Sequence, residues 1–124
     1  MENEKSEKIT IFGTHGPEDP ERASLPFVIG NAALVLDVKV TILLQGSAVL
    51  IAKKGCYEHV FAAGLPPLEE LINSFVEQGG SLLICMPCIQ ERKITPDMLV
   101  SIAQPVKAAR AVMEILESNN VLTY

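Results

Sequence analysis

The sequence predicts a three-layer α/β/α fold with a five-stranded, mainly parallel sheet, folded as a single domain over residues 1–124. Short β-branched runs alternate with segments of helical periodicity, which is the order that a parallel sheet with helical connections requires. Hydrophobic residues make up 48% of the chain and aromatic residues only 5%, so the core is predicted to be aliphatic. A chain of 124 residues is also long enough for one core without disulfide or metal staples.

The first half of the chain predicts two strands with a helix between them. Residues 8–13 and 38–44 are runs of β-branched and aliphatic residues that end at turns, so both are predicted strands. The acidic segment 18–21 suits the beginning of a helix, whose body covers residues 23–36. A short helix or turn over residues 47–53 follows the second strand.

The second half predicts three further strands. Apolar residues recur at helical spacing over 68–76, and the apolar run 81–84 after two glycines is the third strand. Residues 99–103 have the composition of a fourth strand, although a helix that begins at Pro96 is an alternative, and residues 121–124 can form the fifth. Between these two, Pro105 is predicted to begin a helix that ends at Leu116, with one apolar face made of Val106, Ala109, Val112, Met113 and Leu116.

Composition and charge exclude several classes of function. The net charge is -5 and the sequence has no stripe rich in Lys or Arg, so nucleic acid is not an expected partner. Polar and charged residues interrupt the apolar segment 27–52, which argues against a membrane span. Residues 1–8 do not resemble a signal peptide, so a cytoplasmic protein is expected.

Apolar segments at 32–36 and 49–52 are predicted to lie between subunits of a homo-oligomer.

A pair of thiols after the third strand is the most informative feature of the sequence. Cys85 and Cys88 stand in C-x-x-C spacing directly after the run 81–84. Such a pair can exchange protons, electrons or sulfur atoms, and a turn that begins a helix stabilises a thiolate by directing unpaired N–H groups at it. We predict a reactive sulfur site here. The alternative is a buried pair of small apolar residues.

A histidine is expected near this site because the loops that follow parallel strands meet at one edge of the sheet. His15 follows the first strand, and residues 45–46 follow the second. His15 is therefore a candidate to donate a proton to the sulfur or to stabilise the thiolate. The alternative is a histidine that only caps its turn.

These motifs and their order resemble the DsrE/DsrF-like sulfur-relay family, whose three-layer fold is also called YchN-like. The resemblance is carried by five segments, at 19–23, 40–46, 84–85, 91–94 and 121–124. It implies that the cysteine at the strand end, Cys85, accepts sulfane sulfur as a persulfide and passes it to a partner thiol. The implied partners are sulfur donor and acceptor proteins or low-molecular-weight persulfides, and the implied assembly is a homotrimer or homohexamer. No metal or organic cofactor is implied.

The second thiol of the pair, Cys88, and two basic residues that follow it, Arg92 and Lys93, have several interpretations. Cys88 is absent from family members with a lone thiol, and its spacing makes it a candidate to resolve the persulfide, releasing sulfide and leaving a Cys85–Cys88 disulfide. Arg92 either helps to hold an anionic persulfide or is an ordinary solvated side chain. Lys93 stands where the family usually has a glycine, which puts the shape of that turn in question.

Two other functions remain open on the sequence alone. The Cys-Met-Pro-Cys segment is typical of thioredoxin-like dithiol/disulfide exchange, although thioredoxin-like domains place the dithiol after an early strand. A non-enzymatic zinc site is the other possibility, because the chain offers a C-x-x-H pair and a C-x-x-C pair. Its four ligands would be Cys56, His59, Cys85 and Cys88.

Overall fold

The computed structural model describes residues 7–124, which contain one five-stranded sheet. The strands are β1 (Lys8–Gly13), β2 (Lys39–Leu44), β3 (Ser81–Cys85), β4 (Gln104–Val106) and β5 (Asn120–Thr123). Their order across the sheet is β4-β3-β2-β1-β5, and every neighbouring pair is parallel. The predicted α/β fold class is confirmed.

The described chain has four α-helices: α1 (Pro20–Val35), α2 (Leu68–Glu77), α3 (Met86–Glu91) and α4 (Ala108–Glu117). Short 3₁₀ helices lie in the connections, at Gly46–Ala52, Tyr57–His59 and Pro96–Met98. Helix α1 begins after Asp19, whose carboxylate accepts the Arg22 N–H at 3.1 Å, as the acidic segment predicted. Among residues 7–124, no helix combines the length and the apolar content that crossing a membrane requires.

The two faces of the sheet are covered differently. One face, here called the α1/α2 face, packs against α1, α2 and the 3₁₀ helix Gly46–Ala52. In its core the rings of Phe27 and Phe75 meet edge to face, with centroids 5.6 Å apart. The opposite face, here called the α4 face, is covered by α4. It carries a smaller buried cluster made of Phe12, Leu43, Leu83 and Val106.

Helix α4 is attached to the sheet by a polar cluster. The side chain of Glu114 is buried, and its carboxylate accepts hydrogen bonds from Lys8 at 2.8 Å, Arg110 at 2.7 Å and Thr41 at 2.8 Å. Burial opposes ionisation of this carboxyl, but these three donors outweigh it and lower the pKa of Glu114 to about 2. The charged side chain of Glu114 in this amphipathic helix therefore faces the sheet.

Much of the apolar side of α4 is exposed. The side chains of Val112, Met113 and Leu116 are 51%, 54% and 78% exposed. Ala109 is exposed as well. Val106 belongs to β4, so its predicted place on this helical face is wrong.

The predicted position of the fourth strand is wrong. β4 comprises Gln104–Val106, so Pro105 lies in a strand instead of beginning α4. Because β4 is at the edge of the sheet, the N–H that Pro105 lacks need not pair with a further strand. Residues 99–103 run beside the 3₁₀ helix instead, where the Val100 N–H donates to the Ala52 carbonyl at 2.9 Å. The amino-acid composition of residues 99–103 and 104–106 did not show which of the two segments forms the strand.

The two segments predicted to lie between subunits differ in exposure. Val49, Ile51 and Ala52 are buried within the chain and form part of the α1/α2 core. These three residues are therefore not available for a subunit interface, and for them the prediction is wrong; Leu50 is half-buried. At the end of α1, in contrast, Val35 and Leu36 are 70% and 75% exposed.

Candidate functional site

Cys85 lies at the junction between β3 and α3. It is the last residue of β3 and also the N-cap of α3, and it is half-buried. Successive side chains of a strand point to opposite faces. Leu82 and Ile84 enter the α1/α2 core, and Leu83 joins the cluster on the α4 face. Cys85 has the same parity as Leu83 and pairs in register with Val106, so its side chain is on the α4 face.

The sulfur atoms of Cys85 and Cys88 are in contact. The structure pairs them as a disulfide, with Cα atoms 5.3 Å apart. The Cys88 N–H also donates to Cys85 Sγ at 3.3 Å, which caps the first turn of α3. In the reduced protein, an N–H directed at this sulfur would stabilise a thiolate, because a hydrogen bond to an ionised acceptor is stronger than one to a neutral acceptor.

A residue from the loop after β2 completes the surroundings of the dithiol. The Gly46 N–H donates to Cys88 Sγ at 3.3 Å. Gly46 has a φ of +57°, in the left-handed region that glycine adopts most readily. The sequence predicts that these loops meet but does not predict this contact, because no sequence pattern specifies which backbone N–H faces a sulfur.

An apolar cavity of about 240 Å³ opens beside Cys85, between the α4 face of the sheet and α4. Pro87 of the C-x-x-C motif also lines it. Most of its other lining side chains are aliphatic or aromatic, including Phe12, Leu43, Val106, Ala111, Val112 and Ile115. The Cys85 side chain therefore meets a concave apolar surface on one side and the Cys88 N–H, in the first turn of α3, on the other.

His15 lies in the loop after β1, and β2 separates β1 from β3 in the sheet. Its Nδ1 atom is 3.2 Å from Thr14 Oγ1, and the side chain is half-buried. Within residues 7–124 it neither lines the apolar cavity nor hydrogen-bonds to either sulfur. The structure thus brings Cys85 and Cys88 together and places His15 on a separate loop.

Glu18 joins the loop after β1 to the loop after β2. Its carboxylate accepts the Gly16 N–H at 3.1 Å and the Ser47 hydroxyl at 2.7 Å. Burial opposes ionisation, but these hydrogen bonds outweigh it and lower the pKa of Glu18, with a smaller contribution from the charge of His15. A side chain at Gly16 would collide with the Ser47 backbone. The loop that carries His15 is therefore held closely against its neighbour.

Arg92 and Lys93 follow α3. The Arg92 guanidinium donates to the Cys88 carbonyl oxygen at 3.2 Å, so in this structure it contacts the backbone of the motif. Lys93 has a φ of +57°, the left-handed conformation in which helices often end with a glycine. The turn is closed by N–H bonds from Lys93 to Gln90 and from Ile94 to Ile89. The turn therefore has the conformation that glycine favours, although a lysine occupies it.

The geometry does not support a zinc site, and the sheet is not thioredoxin-like. Within the described residues, no group of three or more His, Cys, Asp or Glu side chains is close enough to hold a metal ion. Cys56, His59, Cys85 and Cys88 therefore do not form the four-ligand zinc site. A thioredoxin-like sheet contains an antiparallel hairpin, whereas all neighbouring strands over residues 7–124 are parallel.

The fold and the site together define a class: a parallel α/β protein with a cysteine at the carboxyl end of an inner strand, where the strand meets a helix. The DsrE/DsrF-like family model matches residues 7–124. The chain belongs to this family.

The chain is similar over almost its whole length to a curated sequence and to two solved structures, which share this fold. An uncharacterised protein of Methanocaldococcus jannaschii, MJ0989, is 27% identical over 117 residues, which is 94% of this chain and 99% of that protein. The crystal structure of the ychN protein from E. coli has a TM-score of 0.74 at 16% identity, covering 95% of this chain and 99% of that one. A protein of unknown function from Methanobacterium thermoautotrophicum, MTH1491, has a TM-score of 0.77 at 10% identity, covering 96% of this chain and 100% of that one.

Proposed function

We propose that this protein is a cytoplasmic sulfur-relay protein in which Cys85 accepts sulfane sulfur as a persulfide and passes it to a partner thiol. The observation that carries the proposal is the position of Cys85, which ends an inner strand and caps α3 with its sulfur facing the Cys88 N–H. Membership of a family associated with sulfur relay supports it. The donor and acceptor are proteins or low-molecular-weight persulfides and thiols, and the working form is a homotrimer or homohexamer.

The proposed transfer needs only nucleophilic sulfur chemistry. The Cys85 thiolate attacks the outer sulfur of a donor persulfide, a new S–S bond forms, and the donor leaves as a thiolate with the electron pair of the broken bond. An acceptor thiolate then attacks the outer sulfur on Cys85 and regenerates the free thiolate. His15 is the candidate group for protonating a departing thiolate, since its loop is at the same edge of the sheet.

Cys88 gives the site a second possible outcome, because its sulfur contacts that of Cys85. A Cys88 thiolate that attacks Cys85 Sγ releases hydrosulfide and leaves the Cys85–Cys88 disulfide, which an external dithiol must then reduce. This contact is also the one observation that favours dithiol/disulfide exchange as a second candidate function. The lifetime of bound sulfur separates the carrier from the reductase: Cys88→Ser should hold its sulfur longer than the wild type if Cys88 resolves the persulfide.

The proposal is tested by exposing the reduced protein to inorganic polysulfide and measuring its intact mass. Each sulfur accepted as a persulfide adds about 32 Da. We expect the adduct in the wild type and its loss in Cys85→Ser. If the adduct persists in Cys85→Ser and disappears in Cys88→Ser, the assigned roles are wrong.

Cys56 provides a matched control. It is a free, partly buried thiol, and its burial, together with the nearby Glu58 carboxylate, raises the pKa of the Cys56 thiol. A thiol with a raised pKa is a poor nucleophile at neutral pH. We therefore expect Cys56→Ser to acquire the adduct at the wild-type rate.

A further inference from the structure

We propose that the apolar cavity beside Cys85 binds the body of a small apolar thiol, delivered as its persulfide, and so selects the sulfur donor. This inference rests on the proposed function, since it names the class of molecule that reaches the same sulfur. It adds a binding site with a stated preference: a phenyl or short alkyl persulfide over a large, charged one.

The position of Cys85 in the strand makes the cavity relevant to its chemistry. The parity of β3 and the pairing with Val106 direct the side chain to the α4 face, where Cys85 forms part of the cavity wall. On the α1/α2 face, Ile84 is fully buried, so that face offers no space for a ligand next to the strand end. A small donor therefore reaches this sulfur from the cavity side.

The walls of the cavity define the chemistry of its ligand. They are mainly aliphatic and aromatic, and such walls bind the apolar body of a ligand, with a few polar groups fixing its orientation. A volume of about 240 Å³ exceeds the dry cavity of about 150 Å³ that binds benzene in an engineered protein, so a phenyl ring or a short alkyl chain fits. Glutathione is too large and too polar for such a space.

The rim of the cavity favours a negative charge. Lys107 is the one charged side chain among the described lining residues, and the first turn of α4, which begins at Ala108, lines the same cavity. A lysine and the N-terminal end of a helix both stabilise an anion. A carboxylate on the ligand, or the thiolate that departs after transfer, therefore finds a favourable position at this rim.

The transfer step conserves atoms and electrons. The Cys85 thiolate attacks the outer sulfur of R–S–SH, the Cys85 Sγ–S bond forms, and the S–S bond of the donor breaks. The electron pair leaves with R–S⁻, and the proton stays on the transferred sulfur, which is now the terminal atom of the Cys85 persulfide. No oxidant or reductant is required, because one S–S bond replaces another.

The first experiment compares two donors on the reduced protein, benzyl persulfide and glutathione persulfide. The rate of appearance of the persulfide adduct is measured by intact mass and divided by the rate of each donor with N-acetylcysteine, which removes intrinsic reactivity. We expect a normalised preference of roughly tenfold or more for the benzyl donor, the discrimination that an apolar pocket achieves. Equal normalised rates would overturn the inference and leave the proposed function intact, whereas no adduct with either donor would count against the proposed function.

Two substitutions on α4 test whether the cavity causes the preference. Ala111 lines the cavity, and Ala109 is exposed on the same helix and is not part of the lining. Ala111→Leu should reduce the preference to near unity by filling the space, and Ala109→Leu should leave it at the wild-type value. A preference that survives Ala111→Leu, or that Ala109→Leu abolishes equally, contradicts the assignment to this cavity.

A second experiment does not depend on sulfur transfer. Benzyl methyl sulfide, an unreactive analogue, is titrated into the reduced wild type while methyl resonances are followed by NMR. Saturable shifts at Leu43, Val106 and Ile115 are expected, with the resonances of exposed Leu116 unchanged. If no lining methyl responds, or if Leu116 alone does, the cavity is not a small-molecule site. A cavity filled by a second copy of the chain would give the same negative result.

Discussion

The α1/α2 face and the α4 face belong to the same five strands but are stabilised in different ways. On the α1/α2 face, two helices and a 3₁₀ segment bury a continuous aliphatic and aromatic core. On the α4 face, one short helix is held by the ion pairs of Glu114, and much of its apolar side is exposed. The Cys85 side chain lines the cavity on the α4 face, which is the less densely covered of the two. A reactive sulfur needs access, and the face with the smaller core provides it.

The sharpest test of this difference uses two neighbouring residues of β2. Ile42 is fully buried on the α1/α2 face, and Leu43 is equally buried on the α4 face beside the cavity. We expect Ile42→Ala to lower the free energy of unfolding by about 4 kcal/mol, within the usual range for a core truncation. Leu43→Ala should cost about 2 kcal/mol, because a side chain beside existing empty space loses fewer packing contacts. Urea denaturation measures both; equal losses would show that the faces are packed alike.

A second test concerns the charge that holds α4. We expect Glu114→Gln to lower the free energy of unfolding by about 2 kcal/mol at neutral pH, because it leaves Lys8 and Arg110 beside a neutral partner. Glu117 also contacts Lys8, but its side chain is 59% exposed, so Glu117→Gln should change stability by less than about 0.5 kcal/mol. A cost in Glu117→Gln as large as that in Glu114→Gln would mean that burial does not distinguish the two carboxylates.

The same carboxylate predicts a dependence of stability on pH. The pKa of Glu114 is lowered from its ordinary value of 4.5 to about 2 in the folded protein. Its contribution is therefore complete above about pH 4.5 and is lost as the pH falls towards 2. Between about pH 5 and pH 3 the wild type should lose about 2 kcal/mol more stability than Glu114→Gln. Parallel pH profiles of the two proteins would contradict the lowered pKa.

The smallest expected effect is on the outward side of α4. Leu116 is 78% exposed, so Leu116→Ala should change the free energy of unfolding of an isolated chain by less than about 0.5 kcal/mol. Thermal unfolding at several protein concentrations measures it. A larger loss that grows with concentration would show that a second copy covers this side, in agreement with the proposed oligomer. A larger loss that does not depend on concentration would mean that Leu116 packs within its own chain.

Most of the fold could be predicted from the sequence. The strands β1, β2, β3 and β5 lie within one residue of their predicted bounds, because each contains aliphatic residues next to a clear turn. The position of β4 could not be predicted, since residues 99–103 are as apolar as a strand but run beside a 3₁₀ helix. The sequence also did not predict which side of α4 faces the sheet. An amphipathic pattern normally turns its apolar side to the sheet, and the partners that bury Glu114 include Lys8 and Thr41, far away in the chain.

Some features of the candidate site could also be predicted from the sequence, and others could not. The place of Cys85 at the end of β3 and its closeness to Cys88 follow from an apolar run and a C-x-x-C spacing. The contact from Gly46 and the cavity near Ala111 could not be predicted. Both depend on how separate segments pack: the contact is made by a single backbone N–H, and the cavity lies between α4 and the sheet. The part His15 plays stays a prediction.

The alternation of side chains along β3 also restricts how the length of this strand can change during evolution. Removing one residue between Gly80 and Ile84 would shift the parity, so Cys85 would face the packed core of α1 and α2 and lose its access. Removing two residues would keep the sulfur on its side of the sheet, although the strand would be shorter. Insertions and deletions in related chains should therefore fall in the loops before residue 79 and after residue 93, and where they enter this strand they should come in pairs.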